Sequence, residues 1–141
     1  MIEGKYKEGV MVVIRKDGKF LLGKVGKESP IKGKWGLLGG KVEPTESIEH
    51  TVKRECFEEA GISVKIAKKI FETQGTFTDL KIHIFVADFA NGELVRNKRE
   101  LSELGYFSYE EALALDLASL TRKVFEEHSN EFVVTHQFPA S

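Results

Sequence analysis

The sequence predicts an α/β protein, an α/β/α sandwich in which a mixed β-sheet lies between helices. Three observations carry this. Apolar runs with strand character recur at residues 10–14, 62–71 and 81–89. One helical segment, residues 47–60, sits between the first run and the other two. Helical patterning returns near the end, over 110–117 and 120–128. Strands separated by a helix and followed by helices bury their apolar faces best as a layered sheet.

The elements follow in order. Val10-Met11-Val12-Val13-Ile14 is continuously apolar, as a strand covered on both faces would be. Asp17-Gly18 is a hairpin turn into Phe20-Leu21-Leu22. Residues 23–34 form an expected mobile loop carrying Lys24, Lys27, Lys32 and Lys34 against Glu28, and residues 35–40 a Gly-rich turn. Ser47 is a good N-cap, with Pro44 ahead of it and Gly61 placed as the C′ residue. The strand at 81–89 is interrupted only by Lys81, His83 and Asp88. Asn91-Gly92 predicts a turn, and Tyr106-Phe107-Ser108 a short strand.

Composition removes several classes. The 141 residues, without repeat, linker or low-complexity tract, are expected to form one domain over 1–141. A net charge of -1 argues against a protein that coats nucleic acid. The longest aliphatic run, residues 10–14, is far too short for a membrane span, and MIEGKYKEG has no apolar h-region. Cys56 is the only cysteine, which excludes an intrachain disulfide and predicts a reducing, cytoplasmic setting.

Chemistry concentrates on the 47–60 helix. With Ile48 at the origin of a helical wheel, Val52, Cys56 and Ala60 follow at roughly 40°, 80° and 120°, forming an apolar stripe. Glu55 and Glu59 fall at about 340° and 20°, overlapping the edge of that stripe, and Glu58 at roughly 280° beside them. A Glu-rich helix is ordinarily a solvated face. Here, however, Glu55 and Glu59 are a like-charge i,i+4 pair, costing roughly 0.2–0.5 kcal/mol when unpaired. They also lie near the helix C-terminus, where the dipole disfavours anions. A divalent cation reverses both penalties, and an all-carboxylate set suits Mg²⁺ or Mn²⁺ better than zinc. Arg54, four residues before Glu58, is placed to orient that carboxylate.

Gly40, five residues, Glu46, seven residues, then Arg54-Glu55-Cys56-Phe57-Glu58-Glu59-Ala60-Gly61-Ile62 resembles the signature of the Nudix hydrolases. Chance would fill its Gly, Glu and Arg positions on the order of once in a million. Cys56 stands where the family usually has a bulky aliphatic, and Leu38 where many relatives have Pro. The resemblance implies the Nudix fold, with Ile48, Val52 and Cys56 facing the sheet. It also implies Mg²⁺- or Mn²⁺-dependent hydrolysis of a nucleoside diphosphate linked to another group. By the same resemblance Glu55 and Glu59, with Glu58, hold metal, the Gly39 carbonyl completes the shell, and Glu46 supports the motif loop. Many such enzymes have a further carboxylate in the region of Glu100 and Glu103, and Glu103 aligns better with that pattern as base or ligand.

Other candidates carry a plainer alternative. Lys41 is expected at a substrate phosphate, and Lys24, with Lys27, Lys32 and Lys34, as a lid over phosphates, the alternative for each being a solvated lysine. Trp35 is a candidate for stacking on a base, although packing of the motif loop is the stronger expectation. His50, His83, His128 and His136 lack ligand spacing. Cys56, apolar in phase and without a His partner, is expected in the core. Expected partners are a small nucleotide substrate, no nucleic acid polymer and no membrane, with the chain a monomer or homodimer.

The motif addresses the diphosphate and leaves its ends open. Phe77 and Thr78-Asp79-Leu80 do not match the Tyr marker of diadenosine polyphosphate hydrolases. The Pro of ADP-ribose pyrophosphatases and the upstream coenzyme A pyrophosphatase pattern are also missing. A nucleoside triphosphate is the first expectation, ADP-ribose or a nucleotide sugar the second, and a non-catalytic nucleotide sensor the third.

Overall fold

Strand β1 (Glu8–Lys16) organises the sheet. It pairs in parallel with β6 (Lys81–Gly92) along Glu8 to Arg15. Its other edge is shared: β2 (Lys19–Val25) takes the hairpin end at Arg15 and Lys16, and β4 (Leu38–Lys41) takes Gly9 to Val12. Beyond these lie β3 (Trp35–Gly36) and β7 (Leu101–Phe107) on β2, and β5 (Ile62–Gln74) on β6. The computed structural model describes residues 7–75 and 79–134, and among them the mixed sheet has seven strands.

Helices cover both faces, so the strands of the hub are apolar on both sides. On one face α1 (Ile48–Ala60) buries Val52, Cys56 and Ala60 against Val10, Val12, Ile14 and Phe85, with Ile48 half-buried at the margin. On the other face Val13, Leu22, Ile84 and Val86 pack against Val124 and Phe125 of α3 (Ser119–Glu127) and Ala112 of α2 (Tyr109–Leu113). The apolar stripe deduced from the wheel is therefore the buried one, and Cys56 is 0% exposed. Burial pushes its thiol up to about 12, so it packs as a hydrophobe.

Several boundaries differ from the sequence expectation. Gly23 to Val25 continue β2 instead of opening a loop, because β7 supplies their hydrogen-bond partners. The Gly-rich turn at 35–40 is two short strands. Gly39 can lie against β1 because it has no side chain; a Cβ there would overlap the Val10 carbonyl. Of the short strand expected at 106–108, Tyr106 and Phe107 are the end of β7, whose exposed Ser102 and Glu103 conceal its apolar period, and Ser108 instead caps α2. Asn91 and Gly92 end β6, paired with Ser63 and Ile62. Phe77, Thr78 and His136 lie outside the described residues. No helix among the described residues is long and apolar enough to cross a membrane.

Candidate active site

The motif helix is fixed at both ends. The Ser47 hydroxyl accepts the His50 N–H at 3.1 Å. Gly61, at φ 75, takes the left-handed C-cap that a side chain would strain. The last carbonyls of α1 are not left to water: Ala60 accepts from Val95 N–H at 2.8 Å and Glu59 from Asn97 N–H at 3.0 Å. The segment ahead of β7 is thereby strapped to the C-terminal turn of the carboxylate helix.

Arg54 is the hub of the polar network. Its Nε and Nη2 donate to the two oxygens of Glu46 at 2.6 and 2.9 Å, a bidentate pair. Nη2 also donates to the Lys41 carbonyl at 3.0 Å, tying the motif loop to α1. Nη1 reaches Glu55 and Glu58, both at 3.0 Å. Glu46 further accepts the Glu43 N–H and the Thr51 hydroxyl at 3.1 and 2.8 Å. The Arg54 guanidinium holds its carboxyl down at about 2. Glu46 is thus a latch with both oxygens committed.

Glu59 and Glu55 are in the opposite situation. Glu59 is a buried carboxylate that accepts the Gly39 N–H at 3.1 Å and lies against the Glu100 carboxyl, and no basic side chain among the described residues is paired with it. Burial, reinforced by the Glu55 charge and by the Glu100 carboxyl beside it, raises its pKa to about 9. Burial raises Glu55 to about 7, against the pull of Arg54 and with the help of Glu58. The carboxylate of Glu55 rests on the backbone of Gly40, in the space a Cβ would fill.

This donor set fits a hard divalent cation in kind: carboxylate oxygens, a neighbouring backbone carbonyl, and a local excess of negative charge. The donors are not gathered as they lie, since Glu55 is drawn to Arg54 and Glu59 to Gly39. Among the described residues no three acidic, histidine or cysteine side chains stand within joint reach of one ion.

The NUDIX domain family model matches residues 5–128. The chain belongs to the Nudix family. Its relatives include the NAD-capped RNA hydrolase NudC of Mannheimia succiniciproducens, 31% identical over 134 residues, which are 86% of this chain and 50% of that protein. The chain therefore spans half of that relative's length. Among solved structures it resembles the E. coli ORF135 protein, 31% identical, with TM-score 0.71 over 90% of this chain and 92% of that one. It also resembles the MutT protein of Methanosarcina mazei Go1, 31% identical, with TM-score 0.74 over 93% and 98% of the two chains. Nudix hydrolases are pyrophosphohydrolases that generally use divalent cations.

Within the Nudix fold the expected site residues separate into two groups. Glu55, Glu58, Lys41, Gly39 and Gly40 line one cleft together with Glu100. Glu59, Gly39 and Glu100 line the adjoining one, with Arg99. Lys24 and Glu103 stand apart and pair with each other at 3.4 Å across β2 and β7. Strand alternation explains this, because Gly23 and Val25 line the cleft and Lys24 points the other way. Trp35 packs edge-on against Phe107 at 5.1 Å, while its backbone bonds Asp116 and Ala118. It serves packing there and lines neither cleft. His83 is buried with Nε2 2.6 Å from Glu8, and His128 stacks on Phe71; neither lines the two clefts. Glu100 enters the site through the strap from Asn97 to α1. A tertiary contact of that kind leaves no mark in local spacing, and Arg99 was hidden in the same way.

Proposed function

We propose that the chain folds as one Nudix domain and hydrolyses the diphosphate bridge of a nucleotide. A nucleoside triphosphate is the first substrate class, with a nucleoside monophosphate as product. The carrying observation is the buried Glu59 carboxylate, held at the Gly39 N–H beside Glu55 and Glu100 with no basic partner among the described residues.

Glu55, Glu59 and Glu58, with the Gly39 carbonyl and Glu100, are the groups that would hold Mg²⁺ or Mn²⁺. The ion, when bound, neutralises bridge charge and acidifies a water for attack on phosphorus. Arg54 keeps Glu58 and Glu55 oriented and, through Glu46 and the Lys41 carbonyl, sets the loop that carries Gly39 and Gly40. Glu100 stands nearer the other carboxylates than Glu103 does, and of the two it is the better placed to take a proton from water. Lys41, lining the same cleft, is placed to meet substrate phosphate.

The name of the Mannheimia relative favours a second substrate, NAD-capped RNA, which also contains a diphosphate bridge. The test is turnover over a panel of nucleoside triphosphates, ADP-ribose, a nucleotide sugar, dinucleoside polyphosphates and NAD-capped RNA, with Mg²⁺ or Mn²⁺ and with chelator. Triphosphate turnover abolished by chelator is expected. Preference for the capped RNA selects the second reading, and metal-dependent nucleotide binding without turnover selects the sensor.

A further inference from the structure

We propose that Arg99 is a specificity-determining residue whose guanidinium receives the terminal phosphate of a triphosphate, selecting against diphosphates that end in an uncharged group. The inference rests on the hydrolase reading above and adds to it the chemistry at the far end of the substrate.

Besides the cleft that holds Glu55 and Glu58, two others meet at Gly39. One, of about 430 Å³, is walled by apolar side chains including Met11, Ile31, Leu80, Ile82 and Leu120. Such a wall suits the flat face of a nucleobase. The other, of about 350 Å³, contains the Glu59 and Glu100 carboxylates, and its cationic wall residue among those described is Arg99. Both clefts share Ser29, Leu37 and Gly39. A nucleotide laid across Gly39, with its base on the apolar side and its bridge at the carboxylates, directs its last group towards Arg99.

Arg99 is an exposed residue of that cleft's wall. Its guanidinium has no hydrogen-bond or ion-pair partner among the described residues, although Glu28, Glu59 and Glu100 border the same cleft. Its backbone is fixed nonetheless. The Arg99 N–H donates to the Asn97 side chain at 3.0 Å, Asn97 donates to the Glu59 carbonyl, and the Glu100 carbonyl accepts from Gly26 N–H at 2.9 Å. An arginine on a braced backbone with its fork uncommitted matches a phosphate in geometry and charge. A neutral sugar in its place gives that fork no charged acceptor.

The test is titration calorimetry in Mg²⁺ on wild type, Arg99→Ala and Arg99→Lys. The ligands are a nucleoside α,β-methylene triphosphate, the monophosphate and a nucleoside diphosphate sugar. Arg99→Ala should weaken triphosphate binding by about tenfold or more and Arg99→Lys by less, because a point charge replaces the fork. Binding of the other two ligands and the melting temperature should stay unchanged in both variants. Equal loss for all three ligands, no loss for the triphosphate, or a wild type that does not bind it overturns the assignment. Wild-type binding of the analogue without turnover of any panel substrate overturns the hydrolase reading and leaves Arg99 to be judged by calorimetry alone.

Discussion

The carboxylate of Glu55 occupies the space in which any residue at position 40 other than glycine would put its Cβ. The two residues of the motif are thereby joined by exclusion. The atoms that Gly40 displaces belong to the tip of a side chain, whereas at Gly39 the obstacle is the backbone of Val10. Gly40→Ala is expected to leave the melting temperature within a few degrees of wild type while lowering activity at least tenfold, since Glu55 must swing away. Gly39→Ala is expected to lose the β1–β4 ladder and melt much earlier. Melting curves and turnover of both variants check the contrast.

Glu46 supports the fold. Glu46→Gln keeps the shape but replaces charge-assisted bonds to Arg54, and should cost about 2 kcal/mol of unfolding free energy by denaturant titration. The pH dependence has a definite sign. A carboxyl held down at about 2, against 4.5 in the ordinary state, adds stability above pH 4.5 that disappears as pH falls towards 2. Glu46→Gln should lack that portion of acid sensitivity.

Glu55 and Glu59 contribute the opposite slope. Their folded-state values of about 7 and about 9 lie above the ordinary 4.5. The metal-free protein should therefore carry their full contribution below pH 4.5 and lose it as pH rises through 7 and 9. Thermal melts in chelator from pH 5 to 9 should fall, and millimolar Mg²⁺ or Mn²⁺ should restore them. An ion at a hundredfold excess over its Kd stabilises by about 2.7 kcal/mol. Replacing both residues by Gln should flatten the pH slope, hold or raise the metal-free melting temperature, and abolish the metal response. A large metal-free loss in the double variant would contradict this.

Glu59→Gln preserves the Gly39 hydrogen bond acceptor and removes the charge. Turnover should drop by orders of magnitude with the fold intact, as read by circular dichroism and a metal-saturated rate assay.

Cys56, at 0% exposure and with its thiol raised to about 12, should resist an aromatic disulfide reagent at pH 8 until denaturant is added.

The carboxylate helix was legible because its information is local. Ser47, the apolar stripe and Gly61 follow from the period and caps of one segment, and the Nudix motif lies largely within it. Less legible were contacts made by distant strands. Glu103 resembles the expected further carboxylate in alignment, but the β2–β7 ladder sets it opposite Lys24. Glu100 and Arg99 reach the clefts because Asn97 bonds the end of α1, a pairing that no periodicity announces. The glycines at 39 and 40 look like a turn in sequence. Their use as a strand pressed against β1 depends on a neighbour some thirty residues away.

The parallel pairing of β1 with β6 has a kinetic consequence. Arg15 and Asp88, joined across that ladder, are 73 positions apart. The strand that seats Gly39 and Gly40 therefore waits for a partner made long after it, and closing so large a loop is slow relative to forming α1. During synthesis the carboxylate helix and its cap are complete well before the sheet beneath them. Maturation of the catalytic centre should track β6 docking, so substitutions at Val86 or Ala87 should delay the return of activity on refolding more than substitutions within α1 do.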